Sequence, residues 1–330
     1  MKPFSRIRPL ALISAAVFFG ACSDGTGPSS SPDAATSTER SANAPQHTIE
    51  IGSISTVDFP GATTTLPFAI NNDGVIVGRY LSAGRTHGFI RTADGQFTTI
   101  DFPGSGFTVA SAINNDGDVI AGWYTLPASA SIRRGFVLRD GVFSTIDPPG
   151  SIFNNILGLN ERGDIVGRFC IRTPCREPGS GDFHGLLLSD DEFTVLDVPG
   201  SIETNAWSIN SRGEILGGFG RAGGGVELFL YRQGDFTTIT PPAGKFFSED
   251  NGGINSRGDI VGKYCNSSPC LIGPSGNAFV LINGRFTTLE VPGSRGGAAS
   301  DINESRDVVG GYFDSAGVLH GYVLHLDATG

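Results

Sequence analysis

The chain reads as an all-β protein assembled from short repeats, and three observations carry that reading. First, glycine supplies 48 of its 330 residues, about twice the usual share. Glycine disfavours helix and supplies the positive φ of tight turns, and it recurs so evenly after residue 50 that no long helix can be drawn. The excess has no every-third-residue period, which excludes collagen, and Leu, Ile, Val and Phe recur too regularly for a disordered chain. Second, one phrase returns along the sequence: an apolar residue, Asn, two polar residues and Gly. It stands at Ile70–Gly74, Ile113–Gly117, Leu159–Gly163, Ile209–Gly213 and Ile254–Gly258, with a degenerate sixth copy at Ile302–Arg306, and the Asn-to-Asn spacings are 43, 46, 50, 45 and 48. Third, each period contains four short β-like runs. A period of this size stacks supersecondary units, and four antiparallel strands repeated six times predict a six-bladed β-propeller. A solenoid is the competing architecture.

The N-terminal element is an export signal. Lys2, Arg6 and Arg8 are basic, and Leu10 to Gly20 is apolar but too short for a stable bilayer-spanning helix. Phe19-Gly20-Ala21-Cys22 resembles the lipobox of bacterial lipoproteins, with Phe19 in place of the usual Leu. The resemblance implies that residues 1–21 are removed and Cys22 is lipidated; a secretory signal cut nearby is the rival. Ser23 follows, not Asp, so the resemblance implies the outer membrane of a two-membrane bacterium. Residues 22–46 are Ser, Thr, Pro, Gly and Ala with almost no large apolar side chain. Such a segment cannot offset its chain entropy by burial and reads as a flexible tether. The repeat domain takes 47–330.

Within a copy, the second serves as the pattern. Strand A is expected at about 109–114, B at 118–124, C at 135–139 and D at 142–147. Asn-x-x-Gly turns A into B, and Asp140-Gly141 turns C into D, because such pairs accept left-handed backbone. Strand D leaves through Pro-Gly at 60–61, 103–104, 149–150, 199–200 and 292–293, and through Pro241-Pro242-Ala243-Gly244 before the fifth copy. The sixth copy ends at His320–Leu324 without a strand D, whereas an orphan strand D, Ser55–Gly61, precedes the first. The N-terminal strand can therefore complete the last unit and close the ring, which removes exposed sheet edges.

These copies resemble the HAF-repeat family of extracellular bacterial proteins. The phrase behind that name appears as His87-Gly88-Phe89, His184-Gly185-Leu186, Asn277-Ala278-Phe279 and His320-Gly321-Tyr322, with departures at Arg134-Gly135-Phe136 and Glu227-Leu228-Phe229. The resemblance covers nearly all of 54–326. It implies export and a propeller-like fold, and it implies no established activity.

Beyond Cys22, four cysteines fall as Cys170-x4-Cys175 and Cys265-x4-Cys270. An even number in an exported chain predicts two local disulfides, Cys170–Cys175 and Cys265–Cys270. A four-Cys zinc site is the alternative, disfavoured because the pairs belong to different copies.

Little else points to catalysis. His87, His184 and His320 share one repeat position and read as structural, bonding a neighbouring copy's backbone. Asp58, Asp101, Asp147 and Asp197 open the Pro-Gly exits, with Thr240 and Glu290 in the other copies. Recurrent carboxylates suggest calcium, but turn capping accounts for them better, since Thr240 stands at one of the positions. Asn114–Asp118 also hints at a calcium loop; Arg162, Arg212 and Arg257 stand where its Asp would be, and a cation opposes a cation site. Gly218–Gly223 matches a dinucleotide fingerprint, but a strand follows it and not the helix that chemistry needs. No metalloprotease, nucleophile-elbow or P-loop motif is present. Neither a cofactor nor a metal is expected. From residue 49 on, 19 Lys and Arg face 30 Asp and Glu, a net charge of −11, which opposes nucleic-acid phosphates.

The A–B and C–D turns are alike between copies, whereas the B–C connections differ widely. B–C and D–A connections share a face, and variable loops on a rigid scaffold are where binding concentrates. Both Cys pairs belong to that face. The candidate binding residues are Lys245, Phe246 and Phe247 in the unusual D–A connection, with Arg176 and Arg221. The non-repeated charges there are Arg133, Arg176, Glu177, Asp182, Arg221, Lys245, Glu249 and Asp250, which read as scattered and so argue against convergent acid–base catalysis. The sequence thus predicts a non-enzymatic binding scaffold, monomeric, with a protein or glycan partner and contact with a membrane only through its lipid. A glycan hydrolase or lyase acting over the central channel and a purely structural envelope protein are the alternatives.

Overall fold

A computed structural model describes residues 48–127, 132–172, 175, 183–222, 224–249, 252–270 and 273–329. The signal, Cys22, the tether and His47 lie outside the described residues, as do Arg176, Glu177, Asp182 and Asp250. Among those described there is no α-helix.

The chain opens with β1 (Thr48–Val57). The first copy is β2 (Thr64–Ile70), β3 (Ile76–Ser82), β4 (Arg85–Arg91) and β5 (Phe97–Ile100); the second is β6 (Phe107–Ile113), β7 (Val119–Thr125), β8 (Arg133–Arg139) and β9 (Val142–Ile146). The third is β10 (Phe153–Leu159), β11 (Ile165–Cys170), β12 (His184–Ser189) and β13 (Glu192–Leu196). Each of these three forms an antiparallel four-stranded sheet in chain order. The fourth copy, β14 (Glu203–Ile209), β15 (Ile215–Gly220), β16 (Val226–Arg232) and β17 (Asp235–Ile239), is joined to the fifth. In the fifth, two-residue strands β18 (Phe246–Phe247) and β19 (Gly253–Ile254) replace one continuous strand A before β20 (Ile260–Cys265), β21 (Asn277–Ile282) and β22 (Arg285–Leu289). Pairing of β18 with both β16 and β20 joins the two copies into one nine-stranded sheet. The last sheet is β23 (Gly297–Ile302), β24 (Asp307–Phe313), β25 (Leu319–Thr329) and β1, with Val57 opposite Gly321 and Ile54 opposite Leu324.

Two local rules make the copies alike. In the A–B turn the Asn side chain stands in for backbone. Asn255 Oδ1 accepts from the N–H groups of Arg257 and Asp259, both at 3.0 Å, and its Nδ2 donates to the Asn303 carbonyl of the next copy at 3.1 Å. Asn160 and Asn210 repeat this toward Asn210 and Asn255, and Asn303 donates to the carbonyl of Asn71 at 3.1 Å. The turn glycine, Gly258, has φ +85°, a backbone state that costs glycine little. The second rule joins strands B and C. The third residue of the His-x-Phe phrase is fully buried (Phe89, Phe136, Phe229 and Phe279, each 0% exposed). Its ring lies on a strand-B glycine: a Cβ on Gly78 would sit 2.7 Å from Phe89, and one on Gly217 would sit 2.4 Å from Phe229.

The polar half of the phrase behaves differently from expectation. His87, His184 and His320 do not reach a neighbouring copy's backbone. Their Nδ1 atoms meet Asp101, Asp197 and Asp58 at 2.8, 2.7 and 2.7 Å, the acids that open the Pro-Gly exits. Where Arg134 replaces His, it donates to Asp147 at 2.6 Å. These acids therefore clamp strand C to the end of strand D. The arginines of the A–B turns are also used: Arg162 pairs with Asp164 and Arg212 with Glu214, each at 2.7 Å.

Candidate ligand-binding face

Both disulfides form, Cys170–Cys175 and Cys265–Cys270. The second carries its loop to β18: Phe246 lies opposite Cys265, and Ser248 bridges to Cys270. Alternation along a strand sends neighbours to opposite sides, and the two phenylalanines divide accordingly. Phe246 is 41% exposed, whereas Phe247 is 2% exposed and packs on Phe279 with centroids 5.7 Å apart. Phe247 is thus the phenylalanine that packs beneath the loop, and it drops out of the candidate binding residues, leaving Phe246 as the exposed aromatic. Lys245 is on the surface, its Nζ donating to Asn266 at 2.5 Å and lying 5.0 Å from the Tyr264 ring centroid. Arg221 stands on the neighbouring loop, paired with Glu227 at 3.3 Å and lying over Phe219 at 4.9 Å. That loop ends at Val226, opposite Phe247. Lys245, Phe246 and Arg221 are therefore carried by adjoining loops.

A second cluster was not foreseen. Arg79, Arg168 and Lys263 each follow the strand-B glycine of their copies, and Trp123 holds that position in the second. The guanidinium of Arg133, at the start of β8, lies 4.4 Å from the Trp123 ring centroid and 5.2 Å from that of Phe153. Phe153 and Phe183 are 5.4 Å apart, and Arg168 lies 4.7 Å over Phe183 while donating to Asn205 Oδ1 at 3.3 Å. Cys170 and Cys175 pack against the same two rings, so the first disulfide supports this cluster directly. Lys263 is 3% exposed and donates to the Gly273 carbonyl at 3.0 Å. Arg79 lies 6.0 Å over Phe68. Its pKa is lowered, first by burial and then by the charge of Arg133. Arg133 is therefore not an isolated charge, as the sequence suggests, but part of a basic and aromatic cluster in an acidic chain. Aligning the copies on the strand-B glycine brings the three cations into one column, and that is the signal that finds them.

A cavity of about 80 Å³ is lined by residues of β2, β6, β10, β14, β19 and β23. Phe68 lines it, as do Asn72, Asn115, Glu161, Ser211, Ser256 and Glu304 of the A–B turns. The position two before each turn asparagine is small in five copies (Ala69, Ala112, Gly158, Ser208 and Gly253) and is Asp301 in the sixth. Asp301 Oδ2 accepts from the Ile70 N–H at 3.0 Å. Ser208 Oγ does the same for Ile254 at 3.4 Å. Burial raises the Asp301 carboxyl to about 7, against the opposing hydrogen bonds from Ile70 and Ile302. Glu161 is also raised, chiefly by burial. Among the described residues no three His, Cys, Asp or Glu side chains are grouped to hold a metal ion.

No protein-family model matches the sequence, and no curated protein matches it. Solved structures do. The putative TolB from Agrobacterium tumefaciens is similar at 12% identity and a TM-score of 0.54, covering 84% of this chain and 97% of that one. The fucose-specific lectin from Aleuria aurantia follows at 11% identity and 0.49, covering 83% and 97%. The β-propeller domain of the Trilobed protease from Pyrococcus furiosus matches at 10% identity and 0.48, covering 81% and 96%. At 12% identity the first likeness speaks for fold alone. The chain has an all-β, propeller-like fold of four-stranded antiparallel sheets.

Proposed function

We propose that this chain is an exported, lipid-anchored, six-bladed propeller of the HAF-repeat type that binds a protein or glycan partner through its B–C/D–A face. The count and closure draw support from two contacts that join the chain's ends: β1 pairs with β25, and Asn303 donates to Asn71. The two disulfides support export, since such bonds persist in oxidising compartments. The observation that carries the binding role is the asymmetry between faces. Polar side chains of the A–B turns spend their hydrogen bonds on one another, copy to copy. The other face concentrates Arg133, Arg168, Lys245, Phe246 and Arg221 on and beside loops held by two disulfides.

The test is capture of envelope proteins and glycans by the mature chain in detergent, compared with the Lys245→Ala/Phe246→Ala/Arg221→Ala variant. Capture that is lost in the variant, with unfolding temperature unchanged, supports the face. Equal capture by both proteins overturns it. The anchor has its own test: radiolabelled palmitate enters the wild-type chain, and continued labelling of Cys22→Ser would contradict lipidation there.

A further inference from the structure

The junction between the fifth and sixth copies departs from the repeat in three columns at once. At the start of strand C, His87, His184, His320 or Arg134 pairs with the acid that opens a Pro-Gly exit. The fifth copy has Asn277 and Glu290 in those two columns instead. At the fourth residue past the exit, Thr65, Thr108 and Thr204 accept from the N–H groups of Phe59, Phe102 and Val198, at 2.9, 3.2 and 3.1 Å. Where Pro148 removes that N–H, Asn154 stands instead and donates to Asp147 at 3.0 Å. The sixth copy has Gly297 there, so the equivalent Val291 N–H is offered no hydroxyl. The three changes surround a cavity of about 410 Å³, within the size range of small-molecule sites. Ala278, Leu289 and Tyr322, each at most 3% exposed, form its floor. Asn277, Glu290 and Arg295 stand on its rim. Glu290 and Arg295 are exposed, and neither forms an ion pair with a described residue. One wall is the end of the B–C connection that Cys265–Cys270 staples. There the Gly297 N–H donates to the Gly276 carbonyl at 3.1 Å. A Cβ on Gly296 would sit 2.1 Å from the Pro274 carbonyl, so glycine is what lets that connection come this near.

We propose that this cavity binds a neutral sugar, one pyranose residue of a glycan. The inference rests on reading the B–C/D–A face as the binding face, to which the Pro-Gly exit belongs, and it names the ligand class that face takes. A pyranose has an apolar face of C–H groups and an edge of hydroxyls, each of them both donor and acceptor. The Glu290 carboxylate accepts from adjacent hydroxyls, while Arg295 and Asn277 donate to others. A net charge on the ligand is disfavoured, because Glu290 opposes an anion and Arg295 opposes a cation. A zwitterion would depend on two exposed charges that salt screens. Hydroxyl bonds and contact with an apolar floor do not carry that dependence.

The experiment is isothermal titration and thermal unfolding of the full mature chain in detergent. The probes are glucose, galactose, mannose and N-acetylglucosamine, with glycylphenylalanine as the zwitterionic comparison. Saturable binding and a rise in unfolding temperature are expected for at least one sugar, at low and at high salt. Glu290→Gln and Arg295→Ala change exposed side chains. Each should unfold as wild type does without sugar and bind it about tenfold more weakly. Asn277→His combined with Glu290→Asp rebuilds the clamp of the other copies across the rim. That variant should unfold at a higher temperature than wild type and lose the sugar-dependent rise. No sugar binding, binding undiminished in the single variants or in the rebuilt clamp, or binding of the dipeptide alone overturns the site. If a sugar binds but the Lys245→Ala/Phe246→Ala/Arg221→Ala variant captures partners as well as wild type does, only the parent reading fails. If capture is lost in that variant while no sugar binds, only the present inference fails.

Discussion

Asp301 makes the stability of this fold depend on pH in a direction unusual for a carboxylate. The group stands in the cavity at a position that is Ala, Gly or Ser in every other copy, and burial lifts it from 3.8 to about 7. In the unfolded chain it loses its proton near the ordinary value. Between roughly pH 4 and 7 the folded chain therefore binds more protons, and stability falls as pH rises through that window. A shift of about three units corresponds to about 4 kcal/mol as a ceiling, and water entering the cavity mouth brings the expected loss to about 2–4 kcal/mol at pH 8. Asp301→Asn stays neutral, and its carbonyl oxygen can still accept from the Ile70 N–H. The variant should match wild type at pH 4 and exceed it by that margin at pH 8. Urea unfolding at intervals of half a pH unit measures the difference, provided the slopes against denaturant agree. A stability difference that does not change with pH, or that grows on acidification, would refute the placement of a half-buried carboxyl in the cavity. Other titrating groups cancel in the comparison because both proteins carry them.

Three further outcomes follow from named contacts. His320 lies between Asp58 and Asp314, at 2.7 and 3.4 Å, and its pKa is raised first by the hydrogen bond to Asp58. Its contribution is complete below the ordinary histidine value and fades as pH rises through the raised one, so His320→Gln should cost about 1 kcal/mol at pH 6 and nothing at pH 9. Faster amide exchange in β1 at pH 6 would locate the effect, and a cost independent of pH would contradict it. Asn255→Ala removes two accepted hydrogen bonds and the donation to Asn303, and should cost about 2–4 kcal/mol in urea unfolding. A loss below 0.5 kcal/mol would mean that water replaces the side chain at little cost. Phe247→Ala should cost about 3–5 kcal/mol while Phe246→Ala costs under 0.5 kcal/mol; equal costs would contradict the opposite orientations of the two rings.

What repeats was legible in the sequence, because each repeated residue answers a local demand that recurs. The A–B turn needs an Asn to satisfy its amides and a left-handed residue to close, and both recur at a countable period. The pairing of His with the Asp of the Pro-Gly exit was missed, and its trace in the sequence is a joint absence. The fourth and fifth copies lose both partners together, with Glu227 and Thr240, then Asn277 and Glu290, in their places. The fifth strand A was not legible, because Phe246–Phe247 and Gly253–Ile254 take two short pairings that no period announces. Nor was the fate of adjacent phenylalanines, which depends on which of two alternating sides meets β20.

The repeat also sets Asp301 apart from the other polar groups. The Asn, His, Asp and turn Arg side chains recur in several copies and find partners there. Natural selection for the scaffold therefore accounts for them without reference to a ligand. Asp301 breaks its column and bears an electrostatic cost that Ala, Gly or Ser would avoid. Local conflicts of this kind are expected where a fold gives up stability for another purpose. Asp301→Asn should therefore stabilise the chain above pH 7.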